Sequence, residues 1–161
     1  MSDVNTLYNE DFVAWSKEQA TALRSAARGG SNQKLDWENL AEEIDDLGKS
    51  LRRELRSYMT RIVQHLAKLE YSPAFEPRNP WRRSIRLSRI RAHRVLEDNS
   101  SLKRDVRRLA RQASEDGIEL AIAELDEHHE TDDLDLTAMR GTAFTPEQIL
   151  GDWFPPEPPR D

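Results

Sequence analysis

Arg82, Arg86 and Arg89 recur at intervals of four and three, and His93 continues the row. On a helix these residues share one face. Arg104, Arg107, Arg108 and Arg111 cluster on one side of the next helical pattern. Guanidinium forks match phosphate and carboxylate oxygens. The chemistry on offer is anion binding, with Arg82, Arg86, Arg89, Arg107, Arg108 and Arg111 as its candidate residues. Nucleic acid held this way would bind in a salt-dependent manner. The aromatic interleaving of single-strand binders is missing, since Trp81 is the one aromatic in this region and belongs to an inner stripe.

Charge is sorted along the chain. Residues 78 to 111 hold twelve Lys/Arg against three acids, and residues 112 to 161 hold fourteen acids against two bases. The net charge of −6 hides this separation. Either the charges meet inside the fold or the basic part holds an acidic partner. Glu38, Glu42, Glu43, Asp45 and Asp46 crowd one helix start, and internal pairing of the arginines with such acids is the favoured reading. A protein or acidic-segment partner comes next, and nucleic acid last.

Other chemistry is thin. No cysteine is present, which excludes disulfides, thiolate metal sites and cysteine nucleophiles. The Glu-x-x-His pair of di-iron bundles occurs nowhere, and Asp126-x-x-His129 is its nearest approach. Glu43, Glu54 and His65 share a helix edge but stand about 16 Å apart in succession, too far to share a metal. His128 and His129 read as a solvated run. Gly29-Gly30 lacks the lysine and strand of a phosphate loop. The expectation is a protein without cofactor or metal and not an enzyme.

The elements that position these residues are helical. Hydrophobic residues make 37% of the chain and charged residues 34%, which suits amphipathic helices with narrow apolar stripes. Long proline-free stretches lie before Ser72 and between Trp81 and Thr145. The first helix is expected from an Asn9 cap, with Phe12, Trp15, Gln19, Ala22, Leu23 and Ala26 facing in, and stops at Gly29 to Asn32. The second is expected from an Asp36 cap through Glu70, with Leu35 and Leu40 at staple positions. Its stripe is Leu40, Ile44, Leu47, Leu51, Leu55, Tyr58, Ile62, Leu66 and Leu69, at the α period. Gly48 marks either close packing or a bend.

A third helix follows an Asn79 cap with Pro80 at its first position and Trp81, Ile85, Ala92, Val95 and Leu96 inside. A fourth follows Ser100 or Ser101, with Leu102, Val106, Leu109, Ala113, Gly117 and Leu120 inside. Its other side carries Ile118, Ile122 and Leu125, to be covered by the C-terminal Phe144, Ile149, Leu150, Trp153 and Phe154 or by a second subunit in a homodimer. Residues after Glu127 read as irregular. A short helix follows Thr145, with a capping box to Gln148.

Several runs resemble a bacterial family known as domain of unknown function 29 (DUF29). They are Tyr8-x-x-Asp11-Phe12-x-x-Trp15, Leu35-Asp36-x-x-Asn39-Leu40-Ala41-Glu42-Glu43-Ile44-x-x-Leu47-Gly48 and Arg52-Arg53-Glu54-Leu55. Trp81-Arg82, the run from Leu96 to Leu102, and Thr145-x-Glu147-Gln148-Ile149-Leu150 also look like that family. The resemblance covers residues 7 to 154 and implies an all-helical fold and no assigned activity. The chain departs from it in the turn Gly29 to Lys34 and at Asn9. Within the matching run, Asn39, Glu42, Glu43 and Asp46 share a helix surface, with Trp15 and Arg82 as expected neighbours. They form either a network locking three helices or a peptide or small-ligand site, and the network is favoured.

The resulting expectation is all-α: a mostly antiparallel bundle of four main helices plus a short C-terminal helix, one domain over residues 1–154, with a proline-rich tail at 155–161 leaving the fold. The N-terminus carries no secretory signal pattern and no segment is apolar enough for a membrane span, so a bacterial cytoplasmic place is expected. The expected role is non-enzymatic, acting through an unknown protein partner. The alternative is an anionic-ligand or nucleic-acid binder.

Overall fold

A computed structural model describes residues 4–30, 35–74 and 76–158. It is all-α. The helices are α1 (Val4–Glu10), α2 (Phe12–Arg28), α3 (Trp37–Tyr71), α4 (Arg78–Asp98), a 3-10 turn (Ser100–Asp105), α5 (Val106–Glu127), α6 (Leu136–Gly141) and α7 (Pro146–Leu150). No strand occurs among the described residues, although Asp11 and Asn99 form an antiparallel bridge. The residues group into two compact units, Met1–Glu54 with Val95–Arg104, and Leu55–Arg94 with Asp105–Asp161. Helices α3 and α4 each contribute to both.

In the first unit, α2 is capped by Asp11, whose carboxylate accepts from Ala14 N at 2.9 Å. Asn9 lies inside α1 and is not the cap. The Asp11 carboxylate also accepts from Ser101 N at 2.6 Å, Ser101 Oγ at 2.9 Å and Ser100 Oγ at 3.3 Å. Burial alone would raise its pKa, but these donors outweigh it and hold the carboxyl below its usual range. Asn99 completes the junction, donating to Val95 O at 3.0 Å and accepting from Val13 N at 3.2 Å.

The buried side of α2 is Val13, Ser16 and Ala20, while Ala22 and Ala26 are exposed, so the expected stripe is displaced by one position. Helix α2 ends at Gly29, and Gly30 takes the left-handed φ of 74° that glycine adopts cheaply. The rest of the expected turn, residues 31–34, lies outside the described residues.

Helix α3 is continuous from Trp37 to Tyr71, with Asp36 accepting from Asn39 N. Its buried residues include Ala41, Gly48, Leu55, Ile62 and Leu69, a seven-residue repeat, joined in the second half by Met59, Val63, Leu66, Ala67 and Lys68. Gly48 marks close packing: a Cβ there would collide with Ser16 Oγ. Ser16 is itself held by its bond to Val13 O at 2.9 Å. The leucine ridge expected inside is therefore turned outward over its first half, where Leu40 and Leu47 are exposed.

The second unit holds the larger side chains. Leu55, Met59, Ile62, Leu66, Leu69, Ile85, Leu109, Leu125, Met139 and Ile149 are fully buried. Gly117 lets α5 approach α3: a Cβ there would stand 2.7 Å from Val63 Cβ and 2.8 Å from Thr60 O. Helix α4 begins at Arg78, with Trp81 N bonded to Pro77 O, so Asn79 lies within the first turn and does not cap it. Buried Arg78 donates to Leu69 O at 2.6 Å and Ser72 O at 3.1 Å, terminating α3. Asp135 caps α6, a helix absent from the sequence reading, and Thr145 and Gln148 form the expected capping box of α7.

Candidate functional site

The arginines of α4 are built around the chain's own C-terminal segment. Arg89 is buried, and its Nε donates to Ile149 O at 2.9 Å. Its Nη2 donates to Gln148 O at 2.8 Å and Trp153 O at 2.6 Å. Phe154 faces the guanidinium groups of Arg89, Arg86 and Arg82 at 4.9, 5.5 and 6.0 Å from its ring centre. Arg82 forms an ion pair with Glu157 at 2.7 Å, and His93 Nε2 lies 2.7 Å from Leu150 O.

Two expectations are corrected here. Among the described residues the stripe does not pair with the acids of α3; its partners are main-chain carbonyls, one aromatic face and Glu157. The tail does not leave the fold before 158, since Pro155 is buried and Glu157 is held by Arg82. Residues 159–161 lie outside the described ones.

Arg107, Arg108 and Arg111 are on the exposed side of α5. Arg108 pairs with Asp105 at 3.3 Å. Arg111 borders a cavity of about 360 Å³ that also meets Ser114, Glu119, Arg140 and Phe144. There Arg140 already pairs with Glu119 at 2.7 Å. The six arginines therefore do not converge on one anion site.

Ile118, Ile122 and Leu125 are buried within a single chain, so they offer no face to a second copy. Back-folding of the C-terminal segment supplies part of the reason: Ser114 on the same helix exchanges hydrogen bonds with Phe144 N at 3.2 Å and Phe144 O at 3.4 Å. The cavity between this helix and residues 140–144 touches Ile118.

The constellation expected around α3 is not assembled. Asn39 donates to Asp36 at 2.6 Å, Asp46 pairs with Lys49 at 3.0 Å, and Glu42 and Glu43 are exposed. Trp15 packs against Tyr8 and Phe12, with ring centres 4.9 and 5.3 Å away. Arg82 is engaged by Glu157 in the second unit.

The cluster that sequence reasoning missed lies around Lys68. This lysine is 1% exposed. Its Nζ stands 2.7 Å from Glu124 Oε2 and 4.8 Å from the centre of the Trp81 ring. The pair neutralises the charge of the buried ammonium. Gln64 Nε2 donates to the same carboxylate at 2.8 Å. His65 Nδ1 is buried without a partner, and burial together with the Lys68 charge pushes its pKa down to about 4. Lys68 shares its side of α3 with Arg61, Gln64 and His65, so spacing alone assigns it to a polar face, and its burial comes from packing against α5 and Trp81.

A larger hollow of about 610 Å³ is bordered by Tyr71, His129, Glu130, Asp132 and Asp133. Among the described residues no three His, Asp or Glu are arranged to hold a metal ion. No helix among the described residues is long and apolar enough to cross a membrane.

What the first unit presents to solvent is a ridge. Leu40 and Leu47 are 42% and 53% exposed, Ile44 and Leu51 are half-buried, and Glu42, Glu43 and Asp46 stand beside them. Helix α4 carries a second such patch in the other unit, where Leu87 and Ile90 are 46% and 52% exposed among exposed Arg83, Arg91 and Arg94.

The sequence model of the domain of unknown function DUF29 matches residues 7–154. Among solved structures, an α-helical protein of unknown function from Rhodospirillum rubrum is similar over 91% of this chain and 90% of its own, at 24% identity and a TM-score of 0.64. That likeness concerns the fold. No curated protein matches the chain.

Proposed function

This chain belongs to the DUF29 family, and we propose that it is a non-enzymatic helical protein that acts by docking a protein partner on the outer ridge of α3. One observation carries this reading: large apolar side chains of the first unit stand outside its core. Its buried apolar residues are Val13, Ala20, Ala41, Val95, Leu96 and Leu102, while Tyr8, Leu35, Leu40 and Leu47 are exposed. Gly48 is the cause, because α2 settles on the Ala41–Gly48 side of α3 and leaves the neighbouring leucine ridge uncovered. Contiguous exposed apolar residues rimmed by charge mark interaction surfaces.

The test is a Leu40→Glu/Leu47→Glu double variant, checked for folding by circular dichroism, beside the wild type in affinity capture from bacterial cells. Proteins retained by the wild type and lost by the variant are expected. Identical retention by both would remove this reading.

The anion-binding alternative rests on exposed Arg107 and Arg111 alone, since Arg82, Arg86 and Arg89 hold the tail. Titration with labelled nucleic acid at low and moderate salt tests it, with Arg107→Ala/Arg111→Ala as the control.

A further inference from the structure

Resting on the docking role of the α3 ridge, we infer that its occupant is a second copy of this chain, which offers the basic patch of its α4. The two patches are complementary in both characters that matter. The α3 ridge is apolar at Leu40 and Leu47 and bordered by the carboxylates of Glu42, Glu43 and Asp46. The α4 patch is apolar at Leu87 and Ile90 and bordered by Arg83, Arg91 and Arg94.

Each is a short helical face with aliphatic residues at i, i+3 or i+7 spacing, the form in which helix surfaces interdigitate. Asp46 has Lys49 as a local partner at 3.0 Å. Glu42 and Glu43 have no ion-pair partner among the described residues, nor do Arg83, Arg91 and Arg94, so their charge is available to a neighbour. Opposite potentials across such a contact orient the encounter and exclude like-charged competitors. The contact joins different surfaces of two copies. It closes into a dimer where it forms reciprocally and extends into chains where it does not.

The experiment is sedimentation equilibrium of the full chain over a wide concentration range at low and high salt. The wild type is expected to exceed the monomer mass as concentration rises, with the dissociation constant weakened by about tenfold in high salt. Glu42→Arg/Glu43→Arg makes both patches basic, and Arg83→Glu/Arg91→Glu/Arg94→Glu makes both acidic. Each variant alone is expected to stay monomeric with a wild-type circular dichroism spectrum. Their equimolar mixture is expected to associate again, because each restores the complement of the other.

A wild type that stays monomeric throughout overturns the inference. So does association that ignores both reversals, or a mixture that stays monomeric. If a reversed variant does not fold, Glu43→Gln and Arg94→Gln replace it, and unchanged association in both again overturns the inference. A monomeric wild type whose Leu40/Leu47-dependent capture of another protein persists sinks this inference and leaves the docking role standing. Capture that ignores Leu40→Glu/Leu47→Glu sinks the docking role itself.

Discussion

Arg89 holds Trp153 by its main chain: Nη2 donates to the Trp153 carbonyl at 2.6 Å while the same guanidinium reaches the carbonyls of Gln148 and Ile149. Three acceptors in one fan need the planar fork, which an ammonium does not reproduce. Arg89→Ala is therefore expected to destabilise the chain by about 2–4 kcal/mol, and Arg89→Lys to recover less than half of that. Urea denaturation measures the loss, and limited proteolysis is expected to cut the variants first between residues 150 and 157.

The two close-packed glycines differ in what they touch. At Gly117 the obstacles are the Val63 branch point and a main-chain oxygen, neither able to retreat. Gly117→Ala is expected to cost about 1–3 kcal/mol despite the better helix propensity of alanine. At Gly48 the obstacle is the end of the Ser16 side chain. Gly48→Ala should cost less, and Ser16→Ala in the same chain should remove most of the penalty. A double-mutant cycle in thermal unfolding reads this coupling.

Lys68 and Glu124 form an asymmetric pair, with side chains 1% and 38% exposed. Removing the carboxylate strands a buried ammonium. Glu124→Leu is expected to cost about 3 kcal/mol, whereas Lys68→Met, which fills a similar volume, should fall within about 1 kcal/mol of the wild type. Equal losses in the two variants would contradict the placement of the lysine.

His65 gives the fold a pH dependence. Its pKa is pushed down to about 4, first by burial and then by Lys68, so it is neutral in the folded chain. In the unfolded chain it protonates near pH 6.5. The unfolded state then binds the extra proton, so the stabilisation is full above about pH 6.5 and is lost as pH falls toward 4. The loss over that window is about 1–2 kcal/mol after discounting for partial exposure. His65→Leu is expected to flatten this part of the curve in urea melts at stepped pH. The Asp11 carboxyl, lowered by its donors, loses its contribution only in more acid solution, below its ordinary range.

Local signals in the sequence located much of the fold. The Asp36 start of α3, its unbroken length and the Thr145–Gln148 capping box each depend on neighbours within one or two turns, and periodicity reports them directly. Trp81, Ile85, Ala92, Val95 and Leu96 are buried as their spacing indicates. The failures have tertiary causes. Asp11 displaces Asn9 as the α2 cap because Ser100 and Ser101 also bond to its carboxylate, and they are about ninety residues away.

Side-chain size pointed to the leucines of α3 as its inner face, yet backbone approach at Gly48 set the rotation. Helix α6 is six residues long, too short for a period to show. The α4 arginines were legible as a face but not in their role, because carbonyl acceptors leave no trace in residue identities.

A guanidinium that grips peptide oxygens is indifferent to the spelling of positions 148, 149 and 153, provided each oxygen arrives where it does now. Substitutions there are cheap to inherit, while a single inserted or deleted residue between Leu150 and Phe154 would throw the whole strap out of phase. Among relatives, the interval between Arg89 and this segment should vary in letters and hold in length.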